Sequence, residues 1–264
     1  MDVSEVLRKG VIEHNLSEDF DTLELYIVSD VHVGDNAFEE QAFLKFVDEI
    51  ASVPNRYVIL AGDLIDNALK HSKTNSYKAT MSPREQKKYI CRVLDKIKHK
   101  ILCIVDGNHE MRSSDASDNN IGEDIAMILG VPSLYREDEA ILKITFGKKD
   151  NMKRQCYTAN VFHGSGGGAT PGAAINSVVR RSNNIVADFY ICGHFHNKVV
   201  HKNRIRLIDL QNKMIRYVTR LFVVSSSWKG YMEGWEAIKG FVPGEPGSVK
   251  IILHSKVKKM DAII

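Results

Sequence analysis

The sequence predicts an α/β fold, a four-layer α/β/β/α sandwich of two packed mixed sheets. Three observations predict it. Short apolar runs of strand type alternate with helically spaced apolar residues in the first half of the chain, and strand-type runs dominate the second half. Five of the runs also end alike, in turns that carry Asp, Asn or His: Asp30-Val31-His32, Gly62-Asp63-Leu64-Ile65-Asp66, Asp106-Gly107-Asn108-His109, His163-Gly164 and Gly193-His194-Phe195-His196. Ligands of open α/β sheets bind beyond the carboxyl ends of the strands, so five such ends point to one shared site.

In chain order, residues 1–22 read as an N-terminal arm, a short helix or a loose segment. Val3, Val6, Leu7 and Val11 have helical spacing, which Gly10 and the acidic Ser17-Glu-Asp-Phe-Asp21 interrupt. Residues 23–264 read as a single domain. It opens with a strand from Leu23 to Ser29 and an amphipathic helix over Glu39 to Ser52, with Phe43, Leu44, Phe46, Val47 and Ile50 on its apolar face. A strand from Tyr57 to Ala61 then leads through the Asp63 turn into a polar segment, residues 68–81, that should overhang the site. Ser82-Pro83-Arg84-Glu85 reads as a capping box with proline at the first helical position, starting a helix that runs to about Lys98.

The apolar run Ile101-Leu-Cys-Ile-Val105 is the central strand. Residues 112–120 read as a second polar loop, followed by a short apolar helix from Asp124 to Leu129. Ala140 to Phe146 and Arg154 to Phe162 form an expected hairpin. Pro171 opens a helix to Asn183. A second hairpin is expected from Asn203 to Val224 around Gln211-Asn212-Lys213, with a last strand from Ser248 to His254.

Composition sets bounds on partners. A 264-residue chain with 44% apolar residues can bury a sizeable core, and its net charge of +3 neither demands nor excludes nucleic acid. Cys91, Cys103, Cys156 and Cys192 are scattered without a CxxC pair and read as reduced thiols. No apolar run approaches the roughly 20 residues that span a bilayer, and Met1 to Asn15 lacks a signal-peptide core. The expectation is a cytoplasmic protein without membrane contact; the oligomeric state is not legible.

The turn residues form a donor set: Asp30, His32, Asp63, Asn108, His163, His194 and His196. In an extended segment residues i and i+2 point to one side, which would pair Asp30 with His32 and His194 with His196. Seven donors exceed what one transition metal needs but suit two, roughly 3.5–4 Å apart and sharing a carboxylate. The imidazole and carboxylate mixture favours two divalent transition metal ions, Mn first, with Fe, Zn or Ni as alternatives. Taken singly, Asp30 and Asp63 are equally good turn formers, Asn108 a left-handed residue after Gly107, and His163 a core histidine. Their order as a set argues for metal.

Other polar and aromatic features have simpler readings. His14, His71, His99, His201 and His254 read as surface or strand residues, with His71 alone near substrate. Gly164-Ser165-Gly166-Gly167-Gly168 lacks a P-loop lysine and reads as a tight turn beside His163. Arg180 and Arg181 read as a solvated helix face, and Trp228, Tyr231 and Trp235 as packing residues in preference to a base-stacking platform.

The five motifs resemble those of the calcineurin-like metallophosphoesterase family, D-x-H, G-D-x-x-D, G-N-H-[DE], H-G and G-H-x-H, in that order from about Leu23 to Asn197. Ser29-Asp30-Val31-His32-Val33-Gly34 is similar to the opening motif of the Mre11/SbcD nuclease branch, although too little chain follows His196 for that branch's capping domain. The Ser/Thr phosphatases of the family carry arginines where this chain has Asn67 and Asp106, which argues against that branch. The resemblance implies the metallophosphoesterase fold, with Asp30, His32, Asp63 and His196 on one metal and Asp63 bridging to a second held by Asn108, His163 and His194. It implies His109 as leaving-group acid or transition-state stabiliser, oriented by Asp66. The implied function is dinuclear metal-dependent phosphoester hydrolysis, as a phosphodiesterase with DNA, RNA or a nucleotide as substrate. A phosphomonoesterase or a catalytically silent metal-binding scaffold are the alternatives.

Overall fold

The computed structural model describes residues 10–70, 72, 76–167, 170–231 and 244–264. Two six-stranded mixed sheets pack face to face. The first is built around three parallel strands, β2 (Thr22–Val28), β3 (Arg56–Ala61) and β4 (Ile101–Val105). The connections between them are α1 (Glu40–Ser52) and α2 (Pro83–Asp95); α3 (Asn108–Ser117) and α4 (Ile121–Ile128) lead to the two-residue edge strand β5 (Tyr135–Arg136).

The second sheet holds the hairpin β6 (Glu139–Phe146) and β7 (Gln155–Phe162), then α5 (Pro171–Arg181), β8 (Phe189–Cys192) and the long hairpin β9 (Val199–Asp209) and β10 (Met214–Val224). The chain returns to the first sheet as β11 (Lys250–His254), antiparallel to β2, and β12 (Met260–Ile263) at its edge. β7, β8 and β10 run parallel, so His163 and His194 leave their strands at the same end of the sheet.

Burial follows the strand period. In β2 the side chains alternate, with Leu23, Leu25 and Ile27 fully buried between the sheets against Leu142, Ile144, Tyr157, Val161 and Ile191. The outer face of the first sheet packs Val58, Leu60 and Ile104 under Phe43, Val47 and Ile50 of α1, Ile90 and Leu94 of α2, and Ile125 of α4. On the far side, Ala174 and Val178 of α5 cover Tyr190, Phe222 and Val224. This gives the expected α/β/β/α order of layers. The capping box at Ser82 and Glu85 is present, with Pro83 opening α2. Cys91, Cys103 and Cys192 are buried free thiols and Cys156 is half-buried.

Four elements differ from expectation. Val11–Asn15, read as part of an arm, is strand β1, parallel to β6 over Val11↔Ile141 to Asn15↔Thr145. Only Ile12 of it is buried, because an edge strand held mainly by backbone bonds needs little apolar pattern. Residues 112–117, expected as loop, belong to α3, whose buried residues are His109, Glu110 and Ser113. A helix whose inner face is polar because it borders a site shows no apolar period. β5 and β12 have no counterpart in the sequence reading, because strands of two and four residues at a sheet edge carry almost no pattern. Trp228 is core, its ring 5.1 Å from Phe43 and 4.8 Å from Phe46; Trp235, His71 and part of the 68–81 segment lie outside the described residues. No helix among the described residues is long and apolar enough to cross a membrane.

Candidate metal centre

The carboxyl ends of β2, β3, β4, β7 and β8 bring the seven donor residues together. The chain reaches this through left-handed backbone: φ is 53° at Asp30, 51° at His32, 52° at Asp63, 69° at His194 and 51° at His196. The expectation that Asp30 and His32, and His194 and His196, share a side because their segments are extended is therefore corrected. Left-handed residues on both sides of Val31 and of Phe195 turn the chain sharply enough to aim both members of each pair inward, at a steric cost that non-glycine residues seldom accept. Gly62, at φ 88°, lets β3 pass so near Gly107 and His163 that an added Cβ would lie 2.6 Å from the Gly107 nitrogen and from His163 Nδ1.

The donors fall into two adjoining groups. Asp30, His32 and His196 form one: His32 Nε2 is 3.2 Å from His196 Nε2, which lies 3.1 Å from Asp30 Oδ1. Asp63, His163 and His194 form the other. Asp63 Oδ2 is 3.2 Å from His163 Nε2 and 3.9 Å from His32 Nε2, so one carboxylate oxygen faces both groups. Asn108 Oδ1 completes the second, 3.3 Å from His163 Nε2 and 2.8 Å from His194 Nδ1.

Ring orientation is set from behind. His163 Nδ1 donates to the Ala61 carbonyl at 2.8 Å and His194 Nε2 donates to the Gly166 carbonyl at 2.9 Å. Each ring thus turns its other nitrogen toward Asn108, the orientation control seen in metal-ligating histidines. Asp30 is held by the His194 N–H at 2.9 Å and by the Ser29 hydroxyl.

The electrostatics fit a divalent cation. Burial pushes His32 well below the usual histidine range; burial and His163 also lower His194. Both rings are neutral near pH 7 and keep their lone pairs. Although burial opposes charge on it, His163 is pushed up to about 10 by the Asp63 carboxylate, and Asp63 is held well below the carboxylate range despite its burial by His163 and His109. A cation at this position therefore competes with a proton. The buried His32 Nδ1 and Asp66 Oδ1 have no hydrogen-bond partner among the described residues, which leaves donor capacity at the site unspent. Imidazole, carboxylate and amide donors without thiolate match a borderline transition metal.

His109 begins the first turn of α3. Its Nδ1 donates to the Asp66 main-chain carbonyl at 2.6 Å, whereas the Asp66 carboxylate oxygen is 3.4 Å away. The shorter contact to the ring is made by the backbone of Asp66, and its carboxylate, which helps to raise the His109 pKa, lies 3.9 Å from His32 Nδ1 as well. Burial opposes a charge on His109, but Asp63 and Asp66 outweigh it and raise the pKa.

Two side chains that the sequence did not single out complete the surroundings. Glu110, buried after His109, accepts the backbone N–H groups of Asp63 at 2.8 Å, Leu64 at 2.7 Å, Ile65 at 3.3 Å and Gly107 at 2.9 Å. Its signal was the acidic fourth residue of Gly107-Asn108-His109-Glu110. Arg112, one turn after His109, donates to the Asp66 carbonyl at 2.9 Å and to His109 Nε2 at 2.8 Å; only the recognition of α3 as a helix would have placed it there. Asn67 is buried, donating to the His109 carbonyl at 2.6 Å and the Ser113 hydroxyl at 2.9 Å.

Vps29 from Entamoeba histolytica complexed with zinc covers 91% of this chain and 98% of its own at 13% identity and a TM-score of 0.41. A metallophosphoesterase from Sphaerobacter thermophilus covers 90% of each chain at 14% identity and 0.38, and the calcineurin-like phosphoesterase YfkN from Bacillus subtilis covers 92% and 90% at 13% and 0.37. Similarity at this level carries no argument about activity. No curated protein matches the chain. The calcineurin-like phosphoesterase superfamily domain matches residues 23–209, well over half of the sequence and all five motif-bearing strand ends. The chain therefore belongs to the calcineurin-like phosphoesterase superfamily, as a metallophosphoesterase.

Proposed function

We propose that the protein is a dinuclear metal-dependent phosphodiesterase whose substrate is a nucleic acid or nucleotide. The observation that carries this reading is the position of Asp63 Oδ2, which faces His163 Nε2 at 3.2 Å and His32 Nε2 at 3.9 Å and so adjoins two separate donor groups. Asp30, His32 and His196 would hold one cation, and Asn108, His163 and His194 the other, with Asp63 shared. Two bound divalent cations, Mn first and Fe, Zn or Ni as alternatives, would supply charge neutralisation at the phosphoryl group and activation of a water nucleophile.

The chain's own groups define the rest of the chemistry. His109 presents Nε2 toward the centre while Nδ1 is committed to Asp66, so it can hand a proton from Nε2 to a departing alkoxide. In the arrangement described, Arg112 donates to that nitrogen, which fixes the neutral Nδ1–H tautomer. Substrate would draw the guanidinium onto a phosphoryl oxygen and release Nε2 for the proton. Asp63 and Asp66 then favour the protonated imidazole. Support for a diester over a monoester comes from an open cavity of about 930 Å³ that starts at Asn108 and His163 and leaves room for a second ester arm.

The test is Mn-dependent hydrolysis of bis-p-nitrophenyl phosphate beside p-nitrophenyl phosphate, with His109→Ala as control. Diester cleavage that falls sharply in the variant while metal content stays the same supports the proposal. Cleavage of the monoester alone, or no cleavage by metal-loaded protein, rejects it.

A further inference from the structure

The cavity beside Asn108 and His163 extends over Phe162, Gly164 and Ser165 to the last turn of α5 and the segment joining β5 to β6. Its charged groups divide into committed and uncommitted sets. Arg181 is committed: its guanidinium bonds Glu139 at 2.8 Å and lies over the Phe162 ring at 5.0 Å. Arg180 is exposed on the same cavity, and its guanidinium has no hydrogen-bond or ion-pair partner among the described residues. Glu137 and Asp138, which also line the cavity, have no side-chain hydrogen bond or ion pair among the described residues either.

Among the described residues this wall therefore offers Arg180 as a cation and Glu137 and Asp138 as carboxylates without side-chain partners, within a single depression that opens onto the donor cluster; Arg136, also on the wall, donates to the Ser133 and Tyr135 carbonyls at 3.1 and 2.6 Å. A purely anionic ligand would be repelled by Glu137 and Asp138, and a purely cationic one by Arg180. A nucleotide carries both complements. Its phosphate matches a guanidinium fork, and the exocyclic amino group of a base donates to Glu or Asp. The volume of about 930 Å³ exceeds what one phosphoryl group fills and accommodates a nucleotide beside it.

We infer that this cavity is a subsite for the nucleotide next to the scissile phosphoester, with Arg180 binding that nucleotide's far phosphate and Glu137 and Asp138 accepting from its base. The inference rests on the proposed phosphodiesterase reading and names its substrate class, a phosphodiester flanked by a further nucleotide with an amino-bearing base.

The test is fluorescence anisotropy with a labelled phosphorothioate deoxycytidine tetranucleotide, measured on the Mn-loaded protein and again after EDTA treatment. Arg180→Glu should weaken binding at least tenfold in both conditions while the protein stays folded by circular dichroism. Glu137→Gln with Asp138→Asn should reduce the preference for the deoxycytidine probe over its thymidine counterpart. Equal binding by wild type and Arg180→Glu, or no binding by wild type, overturns the subsite. Failure of the underlying reading shows separately, as wild-type protein that binds the probe but leaves bis-p-nitrophenyl phosphate intact.

Discussion

Asp63 and Glu110 are tied together through the main chain. The Asp63 N–H donates to Glu110 Oε2 at 2.8 Å, and the N–H of His109, the residue before Glu110, donates back to Asp63 Oδ1 at 2.8 Å. The β3 turn and the first turn of α3 thus hold each other in register, so the shared carboxylate and the candidate acid are positioned by one hydrogen-bonded ring.

Breaking that ring should cost more than one bond. In Glu110→Gln the amide nitrogen cannot accept, and it faces backbone donors that have no water to turn to. A loss of about 2–3 kcal/mol is expected, with weaker metal retention, measured by urea unfolding and by metal analysis after dialysis. Stability within about 0.5 kcal/mol of wild type, inside the usual range for surface substitutions, would show that the N–H groups find other partners.

Gly193 lies against Asp30. An added Cβ there would meet the Ser29 hydroxyl and sit 2.7 Å from Asp30 Oδ2, so Gly193→Ala should displace the Asp30 carboxylate while leaving the sheet intact. The expected result is a folded protein, by circular dichroism, that retains less metal than wild type. Full metal occupancy in the variant would mean that Asp30 is not a ligand.

Arg112 has a different signature. Arg112→Ala should lower kcat on bis-p-nitrophenyl phosphate by about 100–1,000-fold, the range for losing one donor to developing charge, with metal content unchanged. Arg112→Lys should restore little, because an ammonium cannot bond the Asp66 carbonyl and His109 Nε2 with one planar fork. Equal turnover in wild type and the alanine variant would remove Arg112 from the site.

A pH dependence follows from His14 in β1. Its pKa is lowered by burial, against the opposing effect of its bond to the Leu102 carbonyl at 2.7 Å. Below the unfolded value near 6.5 the unfolded chain binds the proton more readily than the native one, so stability is full above about pH 6.5 and falls as pH drops toward the native pKa. His14→Gln should flatten this part of the profile. Unfolding midpoints at pH 5 and 7.5 test it, and an unchanged pH difference in the variant would exclude His14 as a source.

How much of this was legible depended on where the information lay. The strand ends were legible because Leu25 to Ser29, Tyr57 to Ala61 and Ile101 to Val105 are buried strands that stop in polar turns, and their common direction follows from parallel pairing. The layer order followed from helical spacing between them. Asp66 is legible as a carboxylate partner of His109, whereas the shorter contact from its carbonyl is not, because a sequence displays side chains and every residue owns a carbonyl. Helix α3 was hidden because its buried residues are polar, and β1 because its partner, β6, lies some 130 residues away, with Val11 opposite Ile141.

The left-handed residues of the centre have one more consequence. Five of the seven donor positions hold a backbone conformation that costs an L residue about 1 kcal/mol or more, and together these costs approach the whole stability of an ordinary domain. Glycine at Asp30, His32, Asp63, His194 or His196 would relieve that strain and delete a donor in the same step. Glycine substitution at these positions is therefore expected to trade metal donors for stability.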